Sequence, residues 1–291
     1  MGFKNILFIL ISGLNFTTIA FGLDIENNPY QLFKDAAINS TVGTPWKAKK
    51  HQELIQQVTA ARPDIVKVKT LAYPISEENL KELYGNQTSV PFFAYSSLID
   101  KGSPTAKTIS SQALETLTPA VAFGIQRVFN REMPSNVAEK WGNVRRSNDV
   151  AVLNAFVKND AVLNGVLLQL PLPDLLTLTK GEVGYDLMPV LVVRWNDALD
   201  ESKPAELILA YTLIAPDYKG TGDRYTNDKI NPIPGYVKFL QNGLKNFGED
   251  YEAMWWATTF LADKKTLINE MPDHEVNMAL ETINEIPNKK Q

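Results

Sequence analysis

Cysteine is absent from the 291 residues, and histidine occurs only at His51 and His274. Without a thiol there is no disulfide, no thiolate metal site, no cysteine nucleophile and no cysteine to carry a lipid. His51 falls in a Lys-rich helix start and His274 directly after Asp273, so both read as solvated groups, and no serine has an obvious histidine partner. The sequence also lacks H-E-x-x-H, G-x-S-x-G, S-x-x-K, G-x-x-x-x-G-K-S/T and G-x-G-x-x-G. That removes the usual zinc-peptidase, serine-hydrolase, phosphate-loop and dinucleotide signatures.

An excess of basic charge is missing too. Lys and Arg total 29 against 33 Asp and Glu, a net charge of −4, which argues against nucleic acid as a partner. The adjacent Arg145 and Arg146 read as a solvated helix end. Beyond the N-terminus no run is apolar enough to span a membrane.

Residues 1–22 differ from the rest. Lys4, an apolar run from Ile6 to Leu14, and small residues at Ala20 and Gly22 match an export signal cleaved before Leu23. Asn15, Thr17 and Thr18 interrupt the apolar run, which favours cleavage over a retained anchor. An exported chain of this size without cysteine leans towards a secreted or periplasmic bacterial protein. The N-x-S/T triplets at Asn39 and Asn86 then carry no glycosylation reading.

With 44% hydrophobic and 21% charged residues, the chain has an ordinary globular composition. The expectation is one domain over residues 23–291, with any sub-lobe boundary in the linker-like 102–107. The densest apolar sequence lies in 149–216. There Leu187–Trp195 and Glu206–Ile214 read as an antiparallel pair of strands, the second apolar on both faces. Gly165–Leu170 reads as a short strand stopped by Pro171 and Pro173, and Asn148–Val157 as a helix because Val152, Leu153, Phe156 and Val157 keep helical spacing.

Earlier in the chain, helices are expected over 45–61, 76–84, 109–131 and 136–145, with strands over 65–73 and 90–95. Later, three helices are expected over 235–247, 249–263 and 273–285. The fold class predicted is α/β or α+β, a central mixed sheet of about five strands covered by helices, three of them at the C-terminus.

Three features carry candidate chemistry. The loop 217–228 offers Asp217, Asp223, Asn227 and Asp228 as hard oxygen ligands for Ca²⁺, with Gly220 and Gly222 permitting a tight backbone and with Arg224 and Tyr225 alongside. The spacing is not that of an EF-hand. Trp255 and Trp256 are adjacent on a helix and cannot face the same way, so one is expected in the core and the other partly exposed, where it could stack on a sugar. If strands 165–170 and 206–214 run parallel, Gln169 and the 217–228 loop share one sheet edge.

Asn159–Pro173 (NDAVLNGVLLQLPLP) resembles the folate-pocket segment of the bifunctional methylenetetrahydrofolate dehydrogenase/cyclohydrolase family, and the resemblance implies a pocket role for Gln169 and a proline turn at Pro171 and Pro173. It covers fifteen residues, and the family's D-G-F and P-G-G-V-G-P-M-T motifs are absent. The functional expectation is therefore an exported protein that binds a small molecule or another protein. The rival is a metal-independent, glycosidase-like hydrolase drawing a carboxylate pair from Asp217, Asp223, Glu249 and Glu252.

Overall fold

Leu167, Leu168 and Leu170 of one apolar run pair with Phe93, Phe92 and Val90 of another in antiparallel register. The computed structural model describes residues 48–133, 150–216, 226–232 and 234–268. Its strands are β1 (Ser89–Ala94), β2 (Thr118–Glu132), β3 (Val150–Pro171), β4 (Asp186–Arg194), β5 (Ile208–Ile214), β6 (Asn231–Pro232) and β7 (Thr259–Phe260). Five of them close on themselves in the order β3-β1-β5-β4-β2 and back to β3, with β6 and β7 as short additions. Only the β1–β5 contact within that ring is parallel. The result is a mixed α/β fold around a closed, barrel-like sheet, in which both long strands find partners on each side.

The helices cover the barrel. They are α1 (Ala48–Ile65), α2 (Glu77–Tyr84), α3 (Ser111–Glu115), α4 (Leu172–Gly181), α5 (Trp195–Leu199), α6 (Pro234–Leu244) and α7 (Glu249–Ala257). Helix α2 starts on a capping box in which the Ser76 hydroxyl accepts from the Asn79 N–H at 3.1 Å and the Asn79 side chain accepts from the Ser76 N–H at 3.2 Å. Leu54 and Val58 give α1 its buried face, and the buried Lys50 ammonium donates to the Lys203 carbonyl.

Helix α7 is locked to the barrel by polar contacts. The Tyr251 hydroxyl donates to the Gly165 carbonyl at 2.5 Å, and the Asn164 amide donates to the Tyr251 carbonyl at 2.7 Å. Arg127, fully buried on β2, donates to Asn164 Oδ1 and its carbonyl, to Thr259 Oγ1 at 3.0 Å and to the Trp255 carbonyl at 3.4 Å. Burial lowers its pKa to about 9. The charge is held by the Trp255 carbonyl at the negative C-terminal end of α7, by the Asn164 carbonyl of β3 and by the Trp255 ring 5.1 Å away.

Several sequence expectations change. The helix expected over 148–157 and most of the one over 109–131 are the long β2–β3 hairpin, preceded by the short α3. Two irregularities bend that hairpin. Gly124 (φ +80°) stands opposite the four residues Lys158–Ala161 of β3, and Asn130 is an extra residue between the pairs Phe129–Leu153 and Arg131–Val152. The strand expected over 65–73 is the end of α1 followed by a single bridge from Leu71 to Leu187.

The strands over 187–195 and 206–214 are antiparallel as expected. Of the three C-terminal helices, two are described. The second stops at Ala257, where the Thr258 and Thr259 hydroxyls bond back to the Met254 and Trp255 carbonyls and the chain turns into β7. The helix expected over 273–285, like that over 136–145, lies outside the described residues.

Candidate active site at one end of the barrel

Strands β1, β2 and β5 finish, and β3 and β4 begin, at the same end of the barrel, as their pairings require. A cavity of about 40 Å³ lies there, lined by Tyr95, Ser96, Leu153, Glu182, Tyr185 and Thr212 among others.

Glu182 arrives at it through local chain chemistry. Pro171 and Pro173 fix the entry of α4, whose first turn is fastened by Asp174 accepting from the Ser110 N–H at 2.9 Å and hydroxyl at 2.5 Å. The helix ends where Glu182 donates its N–H to the Leu178 carbonyl at 3.0 Å. Gly184, at φ +79°, then turns the chain so that the Tyr185 N–H bonds the Glu182 carbonyl at 3.3 Å before β4 begins. A carboxyl is thus placed on a tight turn, between two packed elements, beside the cavity.

Burial holds the Glu182 carboxyl above the usual glutamate range, and the Arg131 guanidinium opposes that rise in part. Three phenols surround it. Tyr95 donates to the Leu213 carbonyl at 2.6 Å, Tyr185 to the Leu153 carbonyl at 3.1 Å, and Tyr236 of α6 shares a hydrogen bond with Ser96. Burial pushes all three up, so they stay neutral. Two of the hydroxyls are committed to backbone carbonyls, which makes them walls rather than proton carriers.

Ser96 leads into a 3₁₀ turn, Ser97–Ile99, without capping it, and the Ser97 hydroxyl donates to Thr105 Oγ1 at 2.9 Å. Thr212 Oγ1 is buried and has no hydrogen-bond partner among the described residues. The arrangement offers one group able to give and take a proton.

The sequence-derived candidates are not assembled here. Gln169 is exposed at the other end of the barrel, its N–H bonded to Thr116 Oγ1 at 2.8 Å. Strands β3 and β5 are antiparallel and separated by β1, so Gln169 does not share an edge with the segment after Ile214. Asp217, Asp223, Arg224 and Tyr225 lie outside the described residues, while Asp228 is exposed and 3.6 Å from the Lys264 ammonium.

No cluster of three His, Asp or Glu suited to a metal occurs among the described residues. Trp255 is fully buried, edge-on to Phe129 at 6.5 Å, and Trp256 is half-buried with its N–H 3.4 Å from Glu252 Oε1. Glu249 is exposed.

Sequence reasoning passed over Glu182, Tyr95, Tyr185, Thr212 and Tyr236. The available signal was weak: an acidic residue just beyond a helix, then Gly184 and a strand.

No known family profile matches the chain, and no curated protein matches it. Some solved structures align with part of the chain. An uncharacterised human protein aligns at 15% identity over 57% of this chain and 85% of its own, with a TM-score of 0.38. A gamma-glutamyl cyclotransferase aligns at 15% identity over 56% and 84%, TM-score 0.37. YkqA from Bacillus subtilis aligns at 15% identity over 57% and 52%, TM-score 0.39.

Proposed function

We propose that the cavity beside Glu182 is the active site of a small-molecule enzyme, with Glu182 acting as general acid and then general base. The observation that carries this reading is a carboxyl raised by burial and lining a cavity walled by neutral phenols. Such a group keeps its proton closer to neutral pH than a surface glutamate. It can protonate a leaving nitrogen or oxygen and recover the proton from water or from a second substrate group. The cavity holds about three water-sized volumes, so it takes the reacting end of a substrate rather than a whole polymer.

Binding without catalysis is the second reading, and the cavity itself supports it equally. Methyl NMR of the full chain separates the cases, with acetate and acetamide as probes. Either reading requires the probes to move the Leu153 and Leu178 methyl signals, and unmoved signals refute both. Turnover of small amides or esters that disappears in Glu182→Gln, while probe binding persists, selects the enzyme. Turnover unchanged in Glu182→Gln refutes Glu182 as the acid.

From residues 1–22 alone we also propose export. Sequencing the N-terminus of protein recovered outside the cytoplasm of cells producing the full chain should then read from Leu23; a chain retaining residues 1–22 there refutes cleavage, and its absence from that fraction refutes export.

A further inference from the structure

Arg131 stands one residue past the bulge at Asn130, near the end of β2. A bulge re-aims the side chain that follows it, and this one sends the guanidinium to the turn that carries Glu182. Arg131 Nη2 donates to the Val183 carbonyl at 2.8 Å, Nη1 donates to the Glu132 carbonyl at 3.3 Å, and the guanidinium carbon lies 5.4 Å from the centre of the Tyr185 ring. The Tyr185 hydroxyl is hydrogen-bonded to it as well. These contacts bracket the acid, because Val183 follows Glu182 and Tyr185 closes the turn back onto the Glu182 carbonyl.

We propose that Arg131 is the positioning residue of this site: it ties the 183–185 turn to the bulged end of β2 and so holds the Glu182 carboxyl against the cavity. The proposal rests on the reading of Glu182 as the acid. A planar fork is needed, since one group must reach a carbonyl and lie over a ring together, which a lysine ammonium does not do. The titratable groups facing Glu182 are Arg131 from β2, Tyr95 after β1, Tyr185 at the entry to β4 and Tyr236 from α6. Arg131 is the cation among them.

Two readouts on the full chain test the role without any substrate. The first is the ¹³C carboxyl titration of Glu182, assigned by the signal that Glu182→Gln removes. In Arg131→Gln its midpoint should rise by about one pH unit or more, as loss of a near cation requires. In Arg131→Lys it should rise less. The second is hydrogen exchange at the Tyr185 amide, which should quicken about tenfold or more in both variants as the turn loosens.

An unchanged midpoint in Arg131→Gln, or unchanged exchange in both variants, overturns the proposal. Circular dichroism reports whether each variant is folded, and Arg131→Lys carries both readouts if Arg131→Gln does not fold. A wild-type midpoint in the ordinary glutamate range instead refutes the acid reading, and exchange alone then decides the positioning role.

Discussion

Gly165→Ala should cost more stability than its size suggests. Gly165 pairs with Ala120 of β2 on one side and lies against the end of β1 on the other. A methyl there would sit 2.5 Å from Phe93 Cζ and 2.9 Å from Phe93 Cε2, and closer still to the Ala94 carbonyl oxygen. Carbon atoms pack at about 3.5–4.0 Å, so the ring has to retreat by about 1 Å. Phe93 is fully buried and the Ala94 carbonyl is backbone, so neither has open space to enter. Overpacking of this kind costs about 1–3 kcal/mol, and a weakened β1–β3 hydrogen bond adds about 1 kcal/mol.

For a chain of this length a loss of ~3 kcal/mol lowers the melting temperature by roughly 6–12 °C. The displacement also reaches the cavity, because Tyr95 follows Ala94 directly and is fastened to Leu213. Calorimetric melting of the full chain measures the loss. Gly181→Ala is the control: nothing lies within 4 Å of its methyl and it is the last residue of α4, so it should stabilise by up to about 1 kcal/mol. A Gly165→Ala protein melting within about one degree of wild type would refute the packing argument.

Two further substitutions probe the site. Glu182 has a raised folded-state pKa, so it contributes no penalty below the unfolded-state value, and wild-type stability falls as pH rises through the folded-state value. Glu182→Gln cannot ionise, so it should match wild type near pH 4 and become the more stable protein above neutrality, by about 1.4 kcal/mol per unit of pKa shift. Urea unfolding across that range checks it, and a difference independent of pH refutes the burial reading. Asn154, 1% exposed, donates to Asn130 Oδ1 at 3.1 Å and to the Ala215 carbonyl at 3.0 Å while accepting from the Ala215 N–H at 2.8 Å. Asn154→Ala strands that buried N–H and should cost about 3 kcal/mol with an unchanged urea m-value; a loss below about 1 kcal/mol would show the clasp is dispensable.

What the sequence made legible follows from where each segment sits. Strands 187–195 and 206–214 could be read because short β-branched runs bounded by Pro, Asp and Asn have few alternatives. The α2 cap at Ser76 is a local signal and needed no tertiary context. The β2–β3 hairpin was hidden because most of Ala120–Phe129 is buried on both faces, which removes the period of two that marks a half-exposed strand. The irregularities at Gly124 and Asn130 then break what period remains, so Val152, Leu153, Phe156 and Val157 fall at helical spacing by accident.

The site was hidden for a different reason. Closing the barrel brings together the end of β1, the ends of β2 and β5, the beginning of β4 and helix α6, so its residues come from positions 95 to 236. Glu182 is unremarkable in sequence and acquires a distinctive chemistry only when α4 ends against the barrel. The features that sequence reasoning favoured, a Gly- and Asp-rich loop and a Trp pair, are those that local composition makes conspicuous. The Trp pair shows how far that approach reaches: one core and one partly exposed tryptophan were expected, and Trp256 is half-buried while Trp255 is buried under Arg127. The Trp255 indole helps hold the charge of an arginine whose burial no local pattern revealed.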